Sequence, residues 1–157
     1  MVDGWDRYQQ LQVWLRAEPA SSRIQCLITV RDGAAAPQSA SVRTTRAHND
    51  GQWHHLALRR DGGTSHASEA EPGGGQLTLF IDGTELSTAD VPGSVSGNSP
   101  FGVHIGQRMD SRAFFTGSID DVHVWDRALS DEALAAREVS SKGTVLWLPM
   151  DHVSNSH

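Results

Sequence analysis

The feature that most constrains this chain is its rhythm: short runs in which apolar and polar residues alternate, each closed by turn-forming residues. That is the pattern of half-buried antiparallel strands. Leu11, Val13 and Leu15 alternate with Gln12, Trp14 and Arg16, and a second run from Arg23 to Val30 ends at Asp32-Gly33. Ala34 to Gln38 reads as a loop, and Ser39 to Arg46 as an exposed strand poor in apolar residues. Asn49-Asp50-Gly51 is a turn signal that leads into a strand from Gln52 to Arg60. After it comes a polar loop over residues 61–75, rich in Gly, Ser and Glu and too polar to pack. Gln76 to Ile81 and Thr84-Glu85-Leu86 flank Asp82-Gly83, a two-residue hairpin signal, because both turn positions need positive φ and these residues tolerate it.

Further strands are expected at Phe101–Gly106, at Phe115–Trp125, and at the buried-looking run Val145-Leu146-Trp147-Leu148-Pro149-Met150-Asp151. One helix is expected near residues 130–138. Ser130 is its N-cap, Asp131 and Glu132 lie in the first turn where the helix dipole favours negative charge, and Gly143 is the stop signal. The pattern as a whole predicts an all-β, two-sheet antiparallel sandwich, as a single domain over residues 1–157.

The 157 residues are 38% apolar and carry a formal net charge of -6, which argues against a general nucleic-acid binder. No apolar run approaches the ~20 residues that span a bilayer. Cys26, the single cysteine, lies in the run Ile24-Gln25-Cys26-Leu27-Ile28 and reads as a small buried hydrophobe. The eight histidines include no H-x-x-x-H or H-x-H pair, so zinc chemistry is unsupported. Alternation puts Leu56 and Leu58 on one face and Trp53, His55 and Ala57 on the other. Ile119 and Val122 both look like core residues though three apart; a bulge at Asp120-Asp121 would reconcile them. Trp14, Trp53, Trp125 and Trp147 all fall in strand patterns and are expected to pack.

Two segments carry a family resemblance. The first is Trp53-His54-His55-Leu56-Ala57 followed by Leu77-Thr78-Leu79-Phe80-Ile81-Asp82-Gly83; the second runs from Phe115-Thr116-Gly117-Ser118-Ile119-Asp120-Asp121-Val122 to Arg127-Ala128-Leu129-Ser130. In this order they resemble the laminin-G-like jelly rolls of the concanavalin A-like superfamily, with pentraxins as more distant relatives. The family's usual opening is only faintly echoed by Val2-Asp3-Gly4-Trp5-Asp6-Arg7-Tyr8, while a strand like its first one stands at residues 145–151. That segment either begins a following domain or closes this one. The second account is preferred, since an unpaired apolar strand invites aggregation.

The resemblance implies a concanavalin A-like jelly roll that binds rather than reacts. Its expected role is a carbohydrate-binding accessory domain of a secreted bacterial protein such as a glycoside hydrolase. The alternative is a protein-interaction, adhesion or spacer domain. The Met1–Trp5 start is polar and lacks a signal-peptide core, which suits either a cytoplasmic chain or a piece of a longer secreted protein; the resemblance implies the second, an extracellular setting as part of a longer precursor. The superfamily's glucanases carry E-x-D-x-x-E on one strand, which is absent here, and no catalytic residue is assigned. Many members hold a structural calcium ion; Asp120 is the candidate ligand, against a reading in which it braces its own turn. Gly106-Gln107-Arg108-Met109-Asp110 lines up with a pentraxin calcium motif resembling G-Q-E-Q-D, but only Asp110 keeps an acidic ligand and Arg108 stands where an acid is needed, which argues against a calcium-bridged ligand. For a glycan, the candidate contacts are Trp5 and Tyr8 near the N-terminus, and Asp110, Arg112 and Phe114 in a rim loop.

Overall fold

The computed structural model describes residues 11–18, 20–30, 38–62, 75–91, 104–106, 114–137 and 142–150. Strands β1 (Leu11–Ala17), β2 (Ile24–Val30) and β3 (Gln38–Arg43) form one antiparallel sheet in the order β1-β2-β3. Strands β4 (Leu56–Asp61), β5 (Gly75–Ile81) and β6 (Thr84–Val91) form a second, in the order β4-β5-β6. The pair β7 (Val122–Trp125) and β8 (Thr144–Leu148) is also antiparallel, and helix α1 spans Asp131–Ala136. The apolar segment near the C-terminus is therefore the hydrogen-bonded neighbour of β7.

Alternation decides which residues meet. Ile24, Cys26, Ile28, Ala40 and Val42 of the first sheet pack against Leu77, Leu79, Ile81 and Val91 of the second. β5 is buried on both faces. Its other side carries Phe80, which packs with Leu129 and Leu134 and, at the edge, Ala57, Trp125 and Ala133. A buried Leu or Phe side chain stabilises by roughly 1.5–3 kcal/mol, so β5 anchors two cores at once. A register shift between Leu79 and Phe80 marks a bulge in the β5–β6 pairing, and the turn beyond it has Asp82 at φ 52° and Gly83 at φ 78°, as the Asp-Gly signal requires.

Helix α1 is too short to stand alone in water. Ser130 Oγ accepts a bond from the Ala133 N–H at 3.3 Å, and Asp131 and Glu132 occupy the first turn. Arg59 reaches over from β4: its guanidinium donates to Leu129 O at 3.3 Å, pairs with Asp131, and lies 4.9 Å from the Phe80 ring centroid. The helix closes at Arg137, left-handed at φ 54°, whose N–H turns back to Ala133 O and Leu134 O. Gly143, expected to stop it, instead turns the chain into β8 at φ 77°.

Several expectations need correction. Ser39–Arg46 is not an exposed strand; Ala40, Val42 and Thr44 are buried, because one face of β3 meets the second sheet. β4 begins at Leu56 rather than Gln52, which leaves Trp53 ahead of the ladder and 68% exposed instead of packed. The strand expected over Phe115–Trp125 is confined to β7, and Ile119 is 37% exposed rather than core. No bulge lies at the two aspartates: Asp121 turns the chain through φ 51° just ahead of β7, and the register shift falls between Val124 and Trp125. Trp147, also expected to pack, is 57% exposed because its side of β8 faces outward. Residues 101–103 of the expected Phe101–Gly106 strand, most of the 61–75 loop and the Val2–Tyr8 echo lie outside the described residues.

Candidate binding site around Trp147

β7 and β8 are in a register that sets His123 opposite Trp147. Alternation puts Asp121, His123 and Trp125 on the same side of the chain, so the three chemistries share one surface. His123 stacks on Trp125 with ring centroids 5.1 Å apart and planes 11° apart, and on Trp147 at 5.6 Å and 21°. Its side chain is only 6% exposed. One oxygen ties the group together: Asp121 Oδ1 accepts the Trp147 Nε1–H at 3.1 Å and lies 2.9 Å from His123 Nε2. The indole bond first, and the imidazole bond second, hold the Asp121 carboxyl below its ordinary value. Since the Asp121 carboxylate only accepts, His123 Nε2 is the donor to it, and Nδ1 is buried with no hydrogen-bond partner among the described residues.

The surroundings extend this strip toward the second sheet. His55, ahead of β4, is held below the usual histidine value, by burial first and then by the Arg137 charge, while Asp82 and Asp121 pull the other way. Its Nδ1 is likewise buried with no hydrogen-bond partner among the described residues. Arg137 reaches Asp82 at 3.6 Å. The result is a flat, exposed indole whose N–H edge is fixed by a carboxylate and whose ring is backed by a buried imidazole. Such a surface offers an apolar platform beside charged and hydroxyl-accepting groups, which is what orients a polyhydroxylated ligand.

A second polar cluster lies at the turn joining β5 and β6. His54 sits between Asp82 and Asp50, and Asp82 Oδ1 also accepts the His55 backbone N–H at 2.9 Å.

Of the residues nominated from sequence, Phe114 is 68% exposed, and nothing among the described residues joins it to the Trp147 group. Trp5, Tyr8, Asp110 and Arg112 lie outside the described residues. Asp120 braces its own turn, its Oδ1 accepting the Asp121 N–H at 2.8 Å. Calcium takes several oxygen ligands, and among the described residues no group of three or more His, Cys, Asp or Glu side chains is placed to hold a metal ion. Trp147, His123 and Asp121 were missed. The Asp-x-His-x-Trp spacing from 121 to 125 carried the signal for Asp121, His123 and Trp125; Trp147, across the strand, needed the β7–β8 register.

A family model described as the concanavalin A-like lectin/glucanases superfamily, of the laminin G type, matches residues 6–135. Neither the search of curated proteins nor that of solved structures returned a match. The matched span covers most of the chain, including both sheets, β7 and most of α1, and the two quoted motifs lie inside it. The chain belongs to the concanavalin A-like lectin/glucanase superfamily, as a laminin-G-like β-sandwich.

Proposed function

We propose that this chain is a non-catalytic saccharide-binding module whose ligand lies on the exposed face of Trp147. One observation carries the reading: an indole 57% exposed is nevertheless held in place by Asp121 and His123. Solvent-facing aromatics without such restraint lose side-chain entropy on binding; this one has little left to lose. The C–H face of a pyranose would rest on the ring, and Asp121, half exposed, would accept sugar hydroxyls at the N–H edge. The neighbouring acids Asp120 and Asp121, in a chain of net charge -6, favour neutral or amino sugars over uronic acids. The family and the absence of an E-x-D-x-x-E strand support an accessory role in a larger secreted bacterial protein such as a glycoside hydrolase. The alternative, adhesion to a protein, draws on the exposed apolar Val145, two positions before the same indole and on the same side of β8.

A glycan array followed by titration calorimetry tests this. We expect binding by the intact chain, a loss of about tenfold or more in affinity for Trp147→Ala, and little change for Trp53→Ala. A chain that ignores every neutral and amino sugar, or binds one equally well without Trp147, overturns the reading. Sugar-independent capture of a protein, lost in Trp147→Ala, would establish the adhesive alternative.

A further inference from the structure

His54 stands between two carboxylates from different parts of the chain. Its Nδ1 is 2.8 Å from Asp82 Oδ2, in the β5–β6 turn, and its Nε2 is 3.1 Å from Asp50 Oδ1, in the loop ahead of β4. Ionised carboxylates only accept hydrogen bonds. A neutral imidazole has one N–H, so it can satisfy one of these oxygens and must aim a lone pair at the other. Only the imidazolium donates to both. The arrangement is therefore complementary to the protonated ring, on geometry alone.

The other charged and titratable groups around it agree. Asp50 is held low by the Gln52 N–H and then by His54, and Asp82 chiefly by His54. His48 meets His54 edge-on at 5.1 Å and is held below the ordinary histidine value by burial first, then by the charges of His54 and Arg46, with Asp50 and Asp82 pulling the other way. Arg137, from the end of α1, touches Asp82 from the far side at 3.6 Å, and His55 contributes its backbone N–H to the same carboxylate. The bonds to Asp82 and then Asp50 raise His54 above the ordinary histidine value, against a small burial penalty.

We propose that His54 is a proton-operated clasp that fastens the Asp50–His55 loop, with its exposed Trp53, to the β5–β6 turn, and loosens it when the proton leaves. The raised His54 value makes this stabilisation complete below about pH 6.5 and lost as the pH climbs through the folded-state value. The two depressed carboxylates act in the opposite sense, their contribution failing as the pH falls through their lowered values. The clasp is thus closed between these limits. It stands independently of the saccharide reading.

Nitrogen NMR of the intact chain reads both ring atoms. We expect Nδ1 and Nε2 of His54 both protonated below a midpoint higher than that of an ordinary histidine. Amide protection factors over residues 50–55 should fall about threefold as the pH rises through it. Asp50→Asn and Asp82→Asn should each lower the midpoint, and Asn tolerates the left-handed backbone at position 82. In His54→Gln the loop's protection should no longer depend on pH in this range. A His54 midpoint at or below the ordinary value overturns the proposal, as does a pH dependence that survives in His54→Gln. Should Asp82→Asn fail to fold, Asp50→Asn and His54→Gln decide the matter.

Discussion

Asp121 serves two donors with one oxygen while its own backbone holds a conformation that most side chains avoid. Its Oδ1 takes the indole N–H of Trp147 and faces His123 Nε2, and its φ is 51°. Alanine at this position would lose both bonds and strain the turn, whereas asparagine keeps an oxygen and tolerates the left-handed region. We expect Asp121→Ala to lower stability by about 1–3 kcal/mol in urea unfolding and to weaken the near-ultraviolet circular dichroism of the stacked rings, with Asp121→Asn close to the parent on both. At this scale the sequence was only partly legible. Alternation along Asp121-Val122-His123-Val124-Trp125 already put the carboxylate, the imidazole and one indole on a common face. It could not say that Trp147 would lie across from His123, because strand register is a property of the pair. His54 was invisible for the same reason, since its partners lie four and twenty-eight positions away. Trp53 was misjudged on a boundary: the apolar pattern continues smoothly into β4, but the ladder starts only at Leu56.

Elements were easier to foresee than their contacts. The Asp82-Gly83 hairpin and the Ser130 cap are local chemistry, written in adjacent residues, and both stand where expected. That the hairpin tip touches the helix was not written locally. A Cβ on Gly83 would come 2.7 Å from Ala135 Cα, a backbone atom of α1 that cannot step aside. Gly51 has the same φ of +78° but nothing within 4 Å of its missing Cβ. The two glycines separate backbone strain from the contact. Gly51→Ala should cost about 1–2 kcal/mol, the penalty of a left-handed alanine. Gly83→Ala should cost more by about 1–3 kcal/mol of overpacking, and should loosen α1. Thermal unfolding of both variants measures the difference; equal losses would mean that the helix does not rest on the turn. The end of α1 falls close to the expected 130–138 span, but not at the Gly143 signal: Arg137, a good helix former, adopts the left-handed position that glycine usually fills. Its backbone bonds to Ala133 O and Leu134 O and its reach to Asp82 offset part of that cost.

For the molecule as a whole, alternation was enough to foresee two stacked sheets, but not that β5 would belong to two cores. Leu77, Leu79 and Ile81 face the first sheet, while Phe80, one position out of phase, supports the helix side. Whether these cores open together is a question Cys26 can answer. It is fully buried between the sheets, and burial pushes its thiol up to about 12. Since the thiolate is the nucleophile, the folded chain should resist alkylation at mildly alkaline pH and react only through opening of the sandwich. Native labelling should be at least about a thousandfold slower than in urea, given ordinary domain stabilities. Phe80→Ala removes a ring from the opposite core and should cost about 3–5 kcal/mol. If the two cores form one cooperative unit, that loss passes in full to the Cys26 side, and labelling quickens by about a hundredfold or more. If labelling holds its rate while the helix side loosens, the sandwich and its helical cover unfold separately, and β5 is a shared wall rather than a coupling.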